Sequence, residues 1–277
     1  MSQSNTESGY AQYWLERETA RHYNCARWRD EMAYEIVTVA ERPELKPQVH
    51  RLNPSVWPEF MLHDAVSARY WRPLFQTFEK FQIVLRDEND HVLAAGSSIP
   101  LAWDGTEQGL PAGWDAALEQ GFKDEEAGAK ATALCGLAVS VARSHQGQGL
   151  SGILIRGMKS IAAGAGFTAF IAPVRPTLKS TYPLAPMDRY IEWKHADGSP
   201  FDPWLHAHWR LGGRFMRIAP ASMVVCGSVG DWEQWTNMRF PETGKYVIPG
   251  ALQPVEIDCE RDEGVYEDPN IWMSHRL

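Results

Sequence analysis

The feature that most constrains this chain is a glycine-rich turn between a predicted strand and a predicted helix. Residues 138–154 have the sequence AVSVARSHQGQGLSGIL: a β-branched segment, a polar approach, three glycines and an apolar helix start. Gly147, Gly149 and Gly152 leave no side chains over the turn, so backbone amides at the helix N-terminus can converge on an anion. The pattern predicts a phosphate or pyrophosphate site on a strand–turn–helix unit.

One interpretation of the turn is a dinucleotide site. Gly147-x-Gly149-x-x-Gly152 satisfies the G-x-G-x-x-G pattern of NAD(P)-dependent oxidoreductases. However, the polar segment 142–146 separates the strand from the first glycine, and predicted hairpins precede the motif where βαβ units are expected. The next strand ends at Arg175, which suits a 2′-phosphate better than a ribose hydroxyl. The oxidoreductase therefore stays as an alternative.

A second interpretation rests on a family signature. Gln146-Gly-Gln-Gly149-Leu-Ser151 resembles the Gln/Arg-x-x-Gly-x-Gly/Ala signature of the GNAT N-acetyltransferase superfamily, with serine in the last place. The resemblance extends over residues 81–218 in the order of predicted elements. It implies an α/β (α+β) fold: a mixed, mainly antiparallel twisted sheet flanked by helices. The expected organisation is a helical extension at 1–33 and an acyltransferase domain at 34–277 with an elaborated C-terminal region.

The resemblance also implies a donor site. Acetyl-CoA or another acyl-CoA would bind with its pyrophosphate on the turn and its pantetheine along the preceding strand, where an amide would polarise the thioester carbonyl. The residues implied are Val139, Ser140, Val141, Gln146, Gly147, Gln148, Gly149, Leu150, Ser151 and Gly152. The expected activity is N-acylation, most simply acetylation, of a small amine or amino-acid-like acceptor. A non-catalytic CoA-binding or regulatory module is the other alternative.

Candidate proton carriers lie after the turn. His208 occupies the place of the family's tyrosine acid in His208-Trp-Arg-Leu-Gly212, and Tyr182 and Tyr190 of the long loop 175–203 are further acid candidates. Cys135 stands where some members have a base glutamate, and we interpret it as a buried thiol. A base would then come from Asp188, Tyr190, Glu192 or His195 of the loop. An acceptor amine that loses its proton to water would need no base residue.

Composition narrows the class of partner. The net charge of −8 and the pI near 5.6 disfavour nucleic acid and anionic membranes. Four scattered cysteines predict neither a metal site nor a disulfide framework, and the absence of a signal-peptide or membrane-span pattern predicts a cytoplasmic protein. The acceptor's identity, the acyl-chain length, a homodimer and delivery by an acyl carrier protein are left open.

Periodicity and turn residues predict the order of elements. The predicted strands are 34–40, 81–85, 92–101, 134–141, 168–174, 214–218, 221–226, 255–259 and 265–272. The predicted helices are 57–65, 68–78, 114–119, the helix from the turn to 163, 203–211 and 231–238.

Overall fold

The structure is a computed structural model that describes residues 34–277, so the predicted extension at 1–33 lies outside the described residues. Nine strands are described: β1 (Tyr34–Thr38), β2 (Ile83–Asp87), β3 (Val92–Leu101), β4 (Ala133–Val141), β5 (Ala169–Val174), β6 (Arg214–Gly227), β7 (Gly244–Tyr246), β8 (Val255–Asp258) and β9 (Glu263–Arg276). The described α-helices are α1 (Lys46–Val56), α2 (Ala65–Thr77), α3 (Trp114–Glu126), α4 (Leu150–Gly164), α5 (Met187–Tyr190), α6 (Pro203–Arg210) and α7 (Val229–Thr236).

One mixed sheet contains all the described strands. Its order is β1-β2-β3-β4-β5-β9-β8-β7, with β6 paired to β9. Only β4 and β5 run parallel, and every other described pair is antiparallel. The predicted mainly antiparallel sheet is therefore confirmed. The doubly wound parallel sheet of a dinucleotide-binding domain is not present in residues 34–277, which argues against the oxidoreductase interpretation.

The parallel pair β4–β5 is short and then opens. Only residues 133–135 of β4 pair with residues 169–171 of β5, although both strands continue beyond this point. On its other edge β4 carries a bulge, because Ser97 pairs with Ala138 and Ser98 pairs with Gly136, leaving Leu137 without a partner position. A bulge bends a strand and increases its twist. The two strands therefore separate and leave a cleft in the middle of the sheet.

Helix α4 covers one face of the sheet beside this cleft. Its buried residues recur at helical spacing and pack against the apolar side chains of β2, β3, β4 and β5: Leu150, Leu154, Ile155, Met158 and Ala162. Helices α1, α2 and α3 belong to the larger core on the opposite face. No helix within residues 34–277 has the length and apolarity needed to cross a membrane.

Three predicted elements, one helix and two strands, differ from the structure. No α-helix spans 57–65. Helix α1 ends just before this segment, which begins with an extended residue at Trp57 and continues as a 3₁₀ turn. Pro47 fits the first turn of α1 because no intrahelical donor is needed there. The two strands predicted at 214–218 and 221–226 are one strand, β6, whose register shifts between Ala219 and Met223 around Pro220. A bulge tolerates the missing proline N–H.

Candidate active site

A cavity of about 610 Å³ occupies the opening between β4 and β5. One wall is formed by residues of β4, the other by residues at the end of β5, and the glycine turn closes one end. The residues of β4 and β5 that line it are Gly136, Leu137, Ala138, Val139, Val141, Phe170, Ala172, Pro173 and Val174. The cleft is long and narrow because its walls are two diverging strands.

The glycine turn has the geometry of an anion site. Gly147 and Gly149 have φ angles of +78° and +79°, which favour glycine, and Gly149 is the N-cap residue of α4 without a side-chain cap. Within residues 34–277, the amides from Gly147 to Ser151 donate no hydrogen bond, whereas Gly152 N donates to Gly149 O. Unpaired amides at a helix N-terminus attract negative charge.

Most, but not all, of the predicted turn residues reach the cleft. Gln146, Gly147, Gly149, Leu150 and Ser151 line it, whereas Gln148 and Gly152 do not, and the neighbouring His145, which was not predicted, also lines it. On β4, Val139 and Val141 line the cleft. Ser140 alternates to the other face, where it is fully buried, and its Oγ has no hydrogen-bond partner among the described residues. Ser140 can therefore contact a ligand only through its backbone.

The bulge at Leu137 forms the inner end of the cleft and is held by a tryptophan. Trp114 Nε1 donates to Leu137 O at 2.8 Å, and Trp114 N donates to Ser222 Oγ at 2.8 Å. Ser222 Oγ in turn donates to Asn270 Oδ1 at 2.9 Å. These three contacts connect residues that are 23, 108 and 48 positions apart. Sequence reasoning missed them because Trp114 carries no local signal beyond its place at a helix start.

A second cavity of about 580 Å³ lies between α1 and α2. Its walls are rich in aromatic side chains, including Trp57, Trp71, Phe75 and Trp114. Five residues line both cavities: Trp57, Trp114, Leu137, Ala138 and Met223. The two cavities therefore meet at the bulge of β4, and molecules bound in each would have their ends at the same place.

His208 lines the cleft as half of a buried histidine pair. Its Nδ1 lies 2.9 Å from Nε2 of His275, and His275 Nδ1 lies 3.4 Å from Leu211 O. A carbonyl only accepts, so this chain favours a proton on His275 Nδ1 and on His208 Nδ1. Nε2 of His208 is then an acceptor. Burial, and then His275, lower the pKa of His208 to about 3, and burial lowers the pKa of His275 to about 4.

This geometry bears on the role expected for His208. With a pKa near 3, the ring is neutral at pH 7 and holds a lone pair, rather than a proton, on Nε2. A general acid at neutral pH needs the opposite state. We therefore expect His208 to accept a hydrogen bond within the cleft and to act as a positioning residue.

The histidine pair predicts acid-sensitive stability. Both pKa values are lower in the folded chain than in the unfolded chain, so the unfolded state binds more protons between pH 4 and 6.5 and stability falls as the pH falls through this window. Each histidine should cost about 2 kcal/mol of unfolding free energy between pH 7 and pH 5. Urea unfolding at both pH values measures this, and His208→Phe should remove about half of the loss.

The matched control is His206→Gln, because His206 lies on the same helix but is not buried. It should keep the pH dependence of the parent. An unchanged dependence in His208→Phe would contradict the lowered pKa.

The two candidate tyrosines lie outside both cavities. Tyr190 is buried, and its hydroxyl donates to Asp202 Oδ2 at 2.9 Å. Burial, and then Asp202, raise the pKa of Tyr190. Tyr182 packs edge-on against Trp193 at 5.0 Å in the same aromatic cluster. Because Asp202 also caps α6, this cluster anchors the long loop, which argues against either tyrosine as proton donor.

The candidate bases are also remote from the cleft. Of the residues in the described chain that line the two cavities, none is Asp or Glu, and neither His195 nor Cys135 is among them. Burial raises the pKa of the Cys135 thiol, which fits the predicted inert cysteine. The loop candidates therefore line neither cavity, and the titratable side chains that do include His50, His145 and His208.

Arg175 at the end of β5 has a structural partner. Its Nε donates to both carboxylate oxygens of Asp268 at 3.0 and 3.1 Å, and its Nη2 donates to Gly250 O at 2.7 Å. Asp268 also accepts from Tyr266 and Asn270. These bonds commit Nε and Nη2 of the guanidinium to protein partners, one of them a buried carboxylate, so the 2′-phosphate role that the dinucleotide interpretation requires loses support.

Comparison with known proteins gives one close relative. No protein-family model matches the chain. The chain is 35% identical over 277 aligned residues to the arginine N-acetyltransferase avaD of Aspergillus versicolor, covering 88% of this chain and 94% of the relative.

Two solved structures share the fold. The loading GNATL domain of CurA from Lyngbya majuscula has a TM-score of 0.56 and 18% identity, covering 88% of this chain and 98% of that domain. The GphF GNAT-like decarboxylase in complex with isobutyryl-CoA has a TM-score of 0.51 and 15% identity, with the same two coverages. At these identities the two structures support the architecture alone.

Proposed function

Because this chain belongs to the GNAT superfamily of acyl-CoA-dependent N-acyltransferases, we propose that it transfers an acetyl group from acetyl-CoA to arginine or a close analogue of arginine. The observation that carries the proposal is the meeting of two cavities at the bulge of β4. The cavity with the glycine turn suits the donor. The aromatic cavity between α1 and α2 suits the acceptor.

The donor cavity matches the charge and shape of a CoA thioester. The pyrophosphate would lie on the unpaired amides from Gly147 to Ser151, where the α4 dipole also favours negative charge. The pantetheine arm would follow β4 past Val141 and Val139 and end near Leu137. An extended amide chain suits an open strand edge, because its N–H and C=O groups can pair with the strand.

The residues at the junction would assist the chemistry by position. Acetyl-CoA supplies a thioester whose C–S bond breaks as the acceptor nitrogen forms a new C–N bond. A backbone amide at the Leu137 bulge would stabilise the negative charge that develops on the carbonyl oxygen. The acceptor nitrogen gives one proton to water before it attacks the thioester. After the attack it gives a second proton, which ends on the departing thiolate. Trp114 would fix the bulge, and His208 Nε2 would accept a hydrogen bond from the pantetheine arm.

The acceptor cavity fits a flat cationic group. Trp57, Trp71 and Trp114 form its inner part, and a guanidinium stacks favourably on aromatic faces. Arginine is also the acceptor named for the curated relative. We therefore propose arginine as the first compound to try.

Acetyl transfer to arginine provides the test. Purified protein is incubated with acetyl-CoA and arginine, and both thiol release and a product carrying one added acetyl group are measured by mass spectrometry. Thiol release without an acetylated product would indicate hydrolysis only, and absence of acetyl-CoA binding by calorimetry would overturn the donor assignment. NADH and NADPH titrations serve as the control for the dinucleotide alternative and should show no binding.

A further inference from the structure

The acceptor cavity has a positively charged outer end. Lys46, His50, Asn53 and Trp57 lie on one face of α1 and its end, and all four line the cavity. Trp57 belongs to the junction with the donor cavity. Because an α-helix rises about 1.5 Å per residue, His50 lies about 10 Å from the junction along the helix axis, and Lys46 lies about 16 Å from it. Arg72 of α2 lines the same cavity.

The charge at this end is only partly neutralised. Lys46 Nζ lies 3.2 Å from Glu79 Oε2. Arg72 forms no ion pair within the described residues. Burial, and then Arg72 and Lys46, lower the pKa of His50, so its ring contributes little charge of its own at neutral pH. The outer end therefore presents the guanidinium of Arg72, without an ion-pair partner among residues 34–277, beside a neutral imidazole.

A buried polar group lies on the same wall. Asn53 is only 5% exposed, and its Nδ2 has no hydrogen-bond partner among the described residues. A buried donor without a partner costs about 1–3 kcal/mol. An oxygen atom of a ligand in this cavity would satisfy that donor, so Asn53 is an independent indication of a polar ligand here.

We propose that Arg72 and Asn53 form a subsite for the α-carboxylate of a free amino acid acceptor. The inference rests on the proposed function and names its substrate class. Guanidinium and amide donors suit a carboxylate, and the Arg72 fork can bind both of its oxygens. A decarboxylated amine or an amino acid already bound as an amide would lack this contact.

The subsite also determines which end of arginine reacts. With the carboxylate on Arg72 and on Asn53, which lies about 6 Å from Trp57 along the helix axis, the side chain extends inward and its guanidino nitrogens reach the junction at Leu137. The opposite orientation would put the guanidinium beside Arg72, where like charges repel. The expected product therefore carries the acetyl group on a guanidino nitrogen, while the α-amine stays free. The neutral guanidine attacks the thioester after one proton passes to water, and a second proton ends on the thiolate.

Matched pairs of substrates test the subsite. Arginine should exceed agmatine, which lacks the carboxylate, by about 30-fold in kcat/KM, mostly through KM, because a charge-assisted hydrogen bond contributes about 1.5–3 kcal/mol. Arg72→Gln should remove this preference by lowering kcat/KM for arginine while leaving kcat/KM for agmatine unchanged. Arg69→Gln is the matched control, because Arg69 lies on the same helix outside the cavity, and it should keep the preference. Tandem mass spectrometry identifies the acetylated nitrogen.

The outcomes separate the subsite from the proposed function. Equal use of arginine and agmatine by the parent enzyme, or an equal loss for both in Arg72→Gln, would overturn the subsite. If neither guanidino compound is acetylated, the proposed acceptor fails, and the lysine–cadaverine and ornithine–putrescine pairs, whose reacting amine is also far from the carboxylate, then decide the subsite. Preference for the carboxylated member of a pair supports it, and calorimetry with each compound in the presence of CoA gives the same comparison without turnover. No preference and no difference in binding in any pair would overturn it.

Discussion

Gly149→Val is expected to raise the KM for acetyl-CoA about 100-fold. A valine at φ +79° is strained, and relief of that strain moves the amides that would hold the pyrophosphate. Loss of two charge-assisted hydrogen bonds accounts for a factor of this size. Steady-state kinetics with varied acetyl-CoA measure the effect, and calorimetric titration with CoA measures binding without the reaction.

Gly166→Val is the matched control for this prediction. Gly166 follows the other end of α4 with φ +77°, and a Cβ added there or at Gly149 would meet no atom within 4 Å. The two substitutions therefore share the backbone strain and differ in their distance from the turn. Gly166→Val should lower stability by about 1–2 kcal/mol and leave the KM unchanged. An equal rise in KM for both variants would show that strain in α4, and not the turn, determines donor affinity.

Ala138→Phe is expected to lower kcat about 100-fold while CoA binding changes only a few-fold. Ala138 lines both cavities, so a phenyl ring would occupy the place where the donor and acceptor ends meet. Reacting groups displaced by about 1 Å lose about two orders of magnitude in rate. The pyrophosphate turn lies at the other end of the cleft and should keep its contacts. Single-turnover kinetics at saturating substrates measure the change.

A volume series at the same position supplies the control. Ala138→Gly should retain most of the activity, Ala138→Val should lose part of it, and Ala138→Phe should lose nearly all of it. Thermal unfolding of each variant separates blockage from misfolding, because overpacking a core costs about 1–3 kcal/mol. Full activity in a folded Ala138→Phe variant would contradict the junction as the reaction centre.

Local sequence patterns predicted the elements whose shape depends on near neighbours. The turn at Gly147 and Gly149, the helix after it and the strand before it follow from glycine conformation and from apolar spacing. The predicted helix that begins at Pro203 is also local in origin, since Asp202 accepts from amides only two and three residues ahead. By contrast, α1 was not predicted, although one of its two prolines, Pro47, lies in the first turn, where it costs nothing.

Roles that depend on distant partners were not predictable in this way. Tyr190 and His208 both had plausible places in a proton-transfer scheme. The fold pairs Tyr190 with Asp202 in its own loop, and it pairs His208 with a histidine 67 residues away. A side chain's protonation depends on its burial and on its neighbours in space. Neither is encoded in the residues on either side of it.

The sequence by itself determined the glycine turn of the proposed donor site, because an anion turn is a local structure: glycines that permit positive φ angles and a helix that supplies unpaired amides. The cavity proposed for the acceptor was decided only by tertiary structure. The opening of β4 from β5, the Trp114 bond to the Leu137 bulge and the placing of Asn53 of α1 and Arg72 of α2 around one cavity each bring separate elements together. Long-range packing of the whole core brings these groups together, so no single segment could have indicated them.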